Sequence, residues 1–478
     1  MPDTRESRGS DAGSGLTEFG TTDTSVGVAP QRGRLPRMVV TARNRVFSAI
    51  NGDDSVAIPG PRVDASRLPE VYAHPHAHGR GPGSKLSDLI WYWFHPGSQV
   101  HQEQASSGPF HSELARCTRG ILALAGQDVD ALARACARRV MEGMNLTTSR
   151  TLRLRDLAMQ MAAEFFHELV FRTPCPPGAR KLITANTDDL LGTLKFSTLR
   201  HLDRRAALTD YLMERIRVGG VNCDLPPSLD DEHRALYLQS NFFTTGVAQL
   251  AEGVSHLLLA LAHHPEIQQR MADEPGDTAF YDRAINESLR MYPLFGISQR
   301  ITTGPIDIGS DTLPAGSVLV FDYEAYQRSG FEDPDRFDPD RWLSLSPRDA
   351  TFIPFGVVGN RPCPARALST TFLRAVTAEI LPRFALYSSA GHTRSMPNRA
   401  PCVLTLRTPA SPRPTGVLRL MRIRDDWENL TRSLTQLVLG CVIVADARSQ
   451  KLCQRHHEKP GTGTHHPQPK RRTGTRHA

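Results

Sequence analysis

The sequence is poor in aromatic residues, which fill 7% of its 478 positions. Its first fifty residues lack an apolar run, so neither a secretory leader nor an N-terminal membrane anchor is expected, and the expected location is cytoplasmic. The eight cysteines, at 117, 136, 175, 223, 363, 402, 441 and 453, show no paired spacing. That argues against a disulfide framework or a zinc site and suits a reducing compartment. Strong charge is also missing from most of the chain. The net charge is +7, but residues 449–478 alone carry seven Lys/Arg against one Glu. The body is therefore nearly neutral, and no nucleic-acid surface is expected on it. An apolar content of 39% still suffices for a large core.

What the sequence does contain is centred on residues 352–365, Phe-Ile-Pro-Phe-Gly-Val-Val-Gly-Asn-Arg-Pro-Cys-Pro-Ala. This is a glycine-bearing turn that delivers Cys363 to the start of a helix. Leu368, Phe372, Val376 and Ile380 then recur every four residues as a buried stripe. A thiol at a helix start meets unpaired N–H groups and the positive end of the dipole, which favour thiolate. Arg361 adds positive charge two residues away.

The stretch resembles the haem-binding loop of the cytochrome P450 family, Phe-Gly-x-Gly-x-Arg/His-x-Cys-x-Gly. Phe355 and Gly356 open it, and Gly359 and Arg361 stand at the family's distances from the cysteine. The resemblance implies haem b with Cys363 as thiolate ligand of its iron, and Arg361 on a haem propionate. The chain departs from the pattern in three places. The loop from Phe355 to Cys363 is one residue longer, Ala365 replaces a glycine, and Pro364 offers no N–H to the sulfur.

Further matches follow in chain order. Residues 1–54 read as a disordered N-terminal segment. Val56 to Pro61 resembles the family's proline-rich entry. His74, His76 and His78 alternate, but no acidic or cysteine partner stands nearby, so a loop is expected there. Residues 111–119 resemble the helix beside the haem, with Arg116 as a propionate candidate. Residues 128–218 read as successive amphipathic helices. Leu236 to His264 is a long helix stopped by Pro265. It resembles the family's central helix, and the expected Ala-Gly-x-Asp/Glu-Thr falls on Thr245-Gly246-Val247-Ala248-Gln249. Gly246 would leave room for oxygen, while Ala248 and Gln249 stand where the acid and the alcohol usually do.

Glu287 and Arg290 lie three apart on one helix face and match the family's Glu-x-x-Arg. Arg341, before Trp342, would be the third member of a buried ion network supporting the cysteine loop. Residues 298–301 and 313–320 read as strands. They resemble a small family sheet in which Arg300 would meet a propionate, with 294–298 lining the pocket. The strand at 402–406 resembles the family's last. The expected architecture is a single large P450 domain over residues 55–410, mainly α with small β-sheets. A C-terminal extension, 411–478, would be partly helical and then a basic, disordered tail. Within it, Leu437 to Ala445 is too short an apolar run to span a bilayer.

The function this implies is a haem-thiolate monooxygenase of secondary metabolism. It would act on a small apolar molecule with electrons from NAD(P)H through ferredoxin and ferredoxin reductase. Because Ala248 and Gln249 replace the proton-relaying pair, a second expectation is a P450-fold enzyme with other oxygen chemistry, such as a peroxygenase, isomerase or coupling enzyme. A non-catalytic haem sensor is a third.

Overall fold

The computed structural model describes residues 55–458 except 78–80, 83, 145–148, 310, 358, 360 and 409–412. The expected disordered segment 1–54, His78 and the basic tail beyond 458 lie outside the described residues.

The chain begins with strand β1 (Ser55–Ile58), then helices α1 (Leu68–Ala73), α2 (Lys85–Phe94), α3 (Pro109–Leu122) and α4 (Gly126–Gly143). Strand β2 (Arg150–Arg153) leads into α5 (Leu154–Phe171), α6 (Pro177–Leu194) and α7 (Leu202–Arg217). The long helix α8 covers Asp231–His263. Next come α9 (Pro265–Asp273), α10 (Thr278–Met291), β3 (Ile297–Ile301), β4 (Ile306–Ile308), β5 (Asp311–Leu313), β6 (Val318–Asp322) and α11 (Tyr323–Ser329). The series closes with α12 (Arg366–Ile380), β7 (Phe384–Tyr387), β8 (Pro401–Leu406), α13 (Thr415–Gln450) and α14 (Leu452–Glu458).

The core is four packed helices. α5 lies along α8, α12 along α4, and the two pairs join through α4 with α5 and α8 with α12. From Val247 to Ala262 every α8 residue but one is buried, the polar Glu252, Ser255 and His256 together with the apolar side chains. Only Gln249 remains half-exposed. The α12 stripe behaves as its spacing predicts: Leu368, Phe372, Val376 and Ile380 are all buried. Asp277 caps α10 by accepting from the Phe280 N–H.

Among the described residues, three small sheets flank this core. β6 stands between β1, to which it is parallel, and β3, to which it is antiparallel. The two predicted strands thus pair as β3 and β6, and the sequence between them holds an additional hairpin, β4–β5. β8 pairs with both β2 and β7. The protein is mainly α, with small sheets, as expected.

In the C-terminal extension the helical part is much longer than its apolar run. α13 is 36 residues long, so the apolar run at 437–445 is one part of a helix whose length, with α14, would suffice to cross a membrane. α13 lies along the domain instead. Ile443, Val444 and Ala447 pack with Leu89 and Tyr92 of α2 and with Phe196. Tyr92 donates to Asp446 at 2.7 Å, Gln436 donates to the Lys195 carbonyl, and Leu418 and Met421 pack with Ala390 and Val403. Only about a third of its most apolar window is buried, against 83% for that of α8.

Candidate functional site

The cysteine loop is folded by its own backbone. The Cys363 N–H donates to the Phe355 carbonyl at 3.0 Å, closing the turn, and the Gly356 N–H donates to Ile353 at 3.0 Å. Gly356 has φ +74°, which a side chain would strain. A Cβ on Gly359 would come within 2.9 Å of the Ala73 Cβ. Cys363 is half-buried, two residues before Ala365, the N-cap of α12. Burial pushes its thiol up to about 11, and a hydrogen bond from the Ala365 backbone pulls the other way. Desolvation therefore outweighs the helix start, contrary to the dipole argument from sequence. With Pro364 lacking an N–H, Ala365 supplies the backbone bond to the sulfur.

Behind the loop stands the predicted ion network. Glu287 and Arg290 are completely buried. Glu287 accepts from Arg290 Nε at 3.0 Å and from its terminal nitrogen at 2.9 Å. Arg341 Nε donates to the same carboxylate at 3.0 Å. Two further donors were not foreseen: the Trp342 indole N–H and the Asp338 backbone N–H, each at 3.0 Å. The signal for Trp342 was its place beside Arg341, since a buried indole N–H needs an acceptor.

The arginines expected at propionates take different positions. Arg300 is buried, and it donates to the Tyr72 hydroxyl at 2.9 Å, to the Gln299 carbonyl and to the Ser298 hydroxyl. Its Nε is buried without a hydrogen-bond partner. A Cβ on Gly356 would lie 3.4 Å from the Tyr72 hydroxyl, so Arg300 and the cysteine loop share a neighbour. Arg361 is turned onto the segment before α3, donating to the carbonyls of Gln102 (3.3 Å) and Ala105 (2.9 Å) and to the Ser107 hydroxyl (3.0 Å). Arg116 is exposed on α3. Among the described residues, no contact brings it to the cysteine loop. Phe355 packs against the main core.

On α8, residues Gln239–Gly246 form a π-helical segment that ends at the expected oxygen-binding stretch; such insertions recur at functional sites. A Cβ on Gly246 would meet the Phe166 ring at 2.5 Å, so this glycine makes room for α5. Thr245 hydrogen-bonds His101 at 3.0 Å. Ala248 is buried, and the Gln249 side-chain oxygen is buried without a hydrogen-bond partner. Three residues on, Glu252 lies 2.7 Å from Arg155 Nε and 2.8 Å from Lys195 Nζ. Burial alone would raise its carboxyl, but Arg155 and Lys195 hold it below the usual range. Burial brings Lys195 itself down to about 7. Glu252 is thus an anchored anion, not a free proton donor beside Gln249. His74 and His76 are neighbours, their rings 5.4 Å apart. Among the described residues no three His, Cys, Asp or Glu groups gather as a metal site.

Comparison with known proteins agrees with this arrangement. Residues 197–412 match the cytochrome P450 family. The chain is 27% identical over 219 residues to cyclooctat-9-en-7-ol 5-monooxygenase of Streptomyces melanosporofaciens, covering 40% of this chain and 48% of that protein. It is 34% identical over 138 residues to pentalenene oxygenase of Streptomyces avermitilis, covering 25% and 30%. The chain thus spans less than half the length of these relatives. Among solved structures it resembles a six-coordinated cytochrome P450 from Thermus thermophilus, with TM-score 0.56, 19% identity and coverage of 71% and 91%. It also resembles a zebrafish cytochrome P450 with abiraterone, with TM-score 0.59, 17% identity and coverage of 72% and 92%. At such identities the structures speak for the fold, and the sequence matches tie residues 197–412 to the cytochrome P450 family.

Proposed function

We propose that the chain is a haem-thiolate monooxygenase that places one oxygen atom of O2 into a small, largely apolar molecule, with Cys363 as the axial ligand. The observation that carries this reading is the cysteine loop held at the start of α12, with the Glu287–Arg290–Arg341–Trp342 network behind it. The names of the two Streptomyces relatives, a monooxygenase and an oxygenase, support the reaction class. Ferredoxin and ferredoxin reductase, fed by NAD(P)H, are the proposed electron source, and the proposed setting is cytoplasmic secondary metabolism.

The residues present fit a haem. The soft sulfur of Cys363 is the donor type that iron–thiolate chemistry needs. Arg300 holds a buried Nε with no protein acceptor, as a residue awaiting a carboxylate would. Arg361 is engaged by the Gln102 and Ala105 carbonyls and Arg116 is exposed, so neither offers the buried, unmatched donor that Arg300 does. When bound, haem supplies the redox and oxygen-splitting chemistry, which a thiolate ligand favours. Cys363 must shed its proton to bind metal, and with burial pushing the thiol up to about 11, ligation should release that proton. Ala248 has no group to donate or to order water. Gln249 presents an unmatched side-chain oxygen, which can accept from a water, but its amide does not exchange protons near neutral pH. Proton delivery then runs through a water held at Gln249, or through a hydroxyl of the substrate. The same pair of residues favours the second reading, a P450-fold enzyme using peroxide or another oxygen chemistry.

The test is spectroscopic first. The reduced protein with carbon monoxide should show the thiolate-type band, and Cys363→Ala should lose it. A Cys363→Ala protein that keeps the band sinks the assignment. Turnover with NADPH, ferredoxin and reductase supports the first reading, and turnover with peroxide alone the second.

A further inference from the structure

α13 is apolar on two opposite faces. One face, including Leu418, Met421, Gln436, Ile443, Val444 and Ala447, is buried against the domain. The other is open: Leu420 is 69% exposed, Trp427 66%, Val438 62%, Ile423 51%, Val442 47% and Leu434 46%. Together these six leave on the order of 600 Å² of apolar surface on one patch, as much as the largest patch of an ordinary monomer.

The order of these residues says what kind of surface fits them. Leu420, Ile423, Trp427, Leu430, Leu434, Leu437 and Cys441 follow one another at steps of three and four. This is the spacing of the facing positions in a two-helix coiled coil, held over three heptads and about 32 Å at ~1.5 Å per residue. A helix lying on lipid has no need of a 3.5-residue period, and its apolar arc is usually broader. In the first half of α13 the arc is narrow, because exposed Arg424 and Thr431 border it.

We propose that α13 pairs with α13 of a second copy of this chain, antiparallel, to form a homodimer. Direction follows from charge. The charges of the stripe lie at one end, exposed Arg419, Arg422 and Arg424 followed by Asp425, Asp426 and Glu428, so that parallel pairing would set like charge beside like, whereas residues 433–445 carry no charge. Parallel pairing would set the two arginine groups side by side, and antiparallel pairing sets each against the uncharged half of the other helix. The register then stacks Leu420 on Leu437 of the second copy, Trp427 on Leu430, and Leu434 on Ile423. Because the seam faces away from the domain, the two bodies lie outside the helix pair. Covering the six exposed residues of both copies, those of the stripe together with the flanking Val438 and Val442, would remove at most about 1,200 Å², the lower limit of a stable interface. The dimer is therefore expected to be reversible.

The full chain, at tens of micromolar by any standard size and light-scattering measurement, should show a mass near twice 52.8 kDa. Leu434→Glu and Trp427→Ala, both at exposed positions, should each raise the dimer dissociation constant at least tenfold with an unchanged circular dichroism spectrum. Cysteines placed by Leu420→Cys with Leu437→Cys, in a Cys441→Ser background, should cross-link under mild oxidant. A monomeric wild-type chain overturns the proposal, as does a dimer that both substitutions leave intact. Co-flotation of a monomeric chain with phosphatidylglycerol vesicles, lost in Leu434→Glu, would assign the stripe to a lipid surface instead. A disulfide between two native Cys441 residues would refute the antiparallel register.

Discussion

Glu287→Ala is the sharpest test of how the cysteine loop is supported. The carboxylate accepts five hydrogen bonds, two from Arg290 and one each from Arg341, Trp342 and the Asp338 backbone. Its removal leaves the fully buried Arg290 with only the Arg336 carbonyl, at 3.3 Å. Stranding a buried charge in this way costs about 3–5 kcal/mol. The Trp342 and Asp338 N–H groups lose their acceptor as well, and each buried orphan donor costs about 1–3 kcal/mol unless water enters. The loss should therefore reach the upper part of the first range, a large share of the roughly 5–15 kcal/mol that holds a domain together. Urea unfolding followed by circular dichroism measures the stability, and absorbance measures haem uptake. The cost should fall on folding and haem loading, before any effect on turnover per loaded molecule. The double variant Glu287→Ala/Arg290→Ala should cost less than the sum of the single variants, because it removes the stranded cation. A haem-loaded Glu287→Ala protein within about 1 kcal/mol of the parent would refute the reasoning, and so would strict additivity.

Three other expectations follow from the geometry. Truncation after Thr408 uncovers Leu89, Tyr92 and Phe196, which Ile443, Val444 and Ala447 cover; it should lower the melting temperature by roughly 5–10 °C, and an unchanged melting curve would show that α13 only rests on the surface. Gln249→Ala should leave the haem spectrum alone while raising peroxide leakage during NADPH-driven turnover; unchanged coupling with a substrate lacking hydroxyls would defeat the water route. His167 sits between the Thr173 carbonyl and the Tyr211 hydroxyl, at 3.1 and 2.8 Å, and burial brings it down to about 4. Its folded form resists protonation more than its unfolded form, so its contribution is full above the ordinary histidine range and is lost as pH falls toward 4; His167→Gln should flatten that part of the stability-against-pH curve, and an unaltered curve would exclude His167 as its source.

The features that could be read from sequence were those fixed by local spacing. Glu287 and Arg290 share a face because they are three apart on a helix, and Pro265 had to end α8. The β3–β6 pair was visible as two short strand segments, 298–301 and 313–320, around a turn. Side-chain direction was less legible. Arg361 stands two residues from Cys363 yet reaches Gln102 and Ala105, because its own φ of +52° turns the chain there. That Glu252 is an anchored anion is not legible locally, since its partners Arg155 and Lys195 lie 97 and 57 residues away in the sequence. The helix start at Cys363 is legible in the sequence, whereas the desolvation that outweighs it depends on the packing around the loop. α13 was underestimated because its polar residues interrupt any simple apolar run, and its two-sided character appears only once the domain covers one side.

The seating of α13 also sets an order of events during synthesis. Tyr92 and Asp446 are 354 residues apart in the chain, and Asp88 and Cys453 are 365 apart. α2 therefore emerges long before the helix that covers it. At translation rates of about 5–20 residues per second, it waits roughly 20–70 s with Leu89 and Tyr92 uncovered. Contacts this distant form late and slowly. The nascent chain should thus be most exposed to chaperone capture or proteolysis around α2, and a ribosome stalled before residue 440 would hold a body already built with that flank still open.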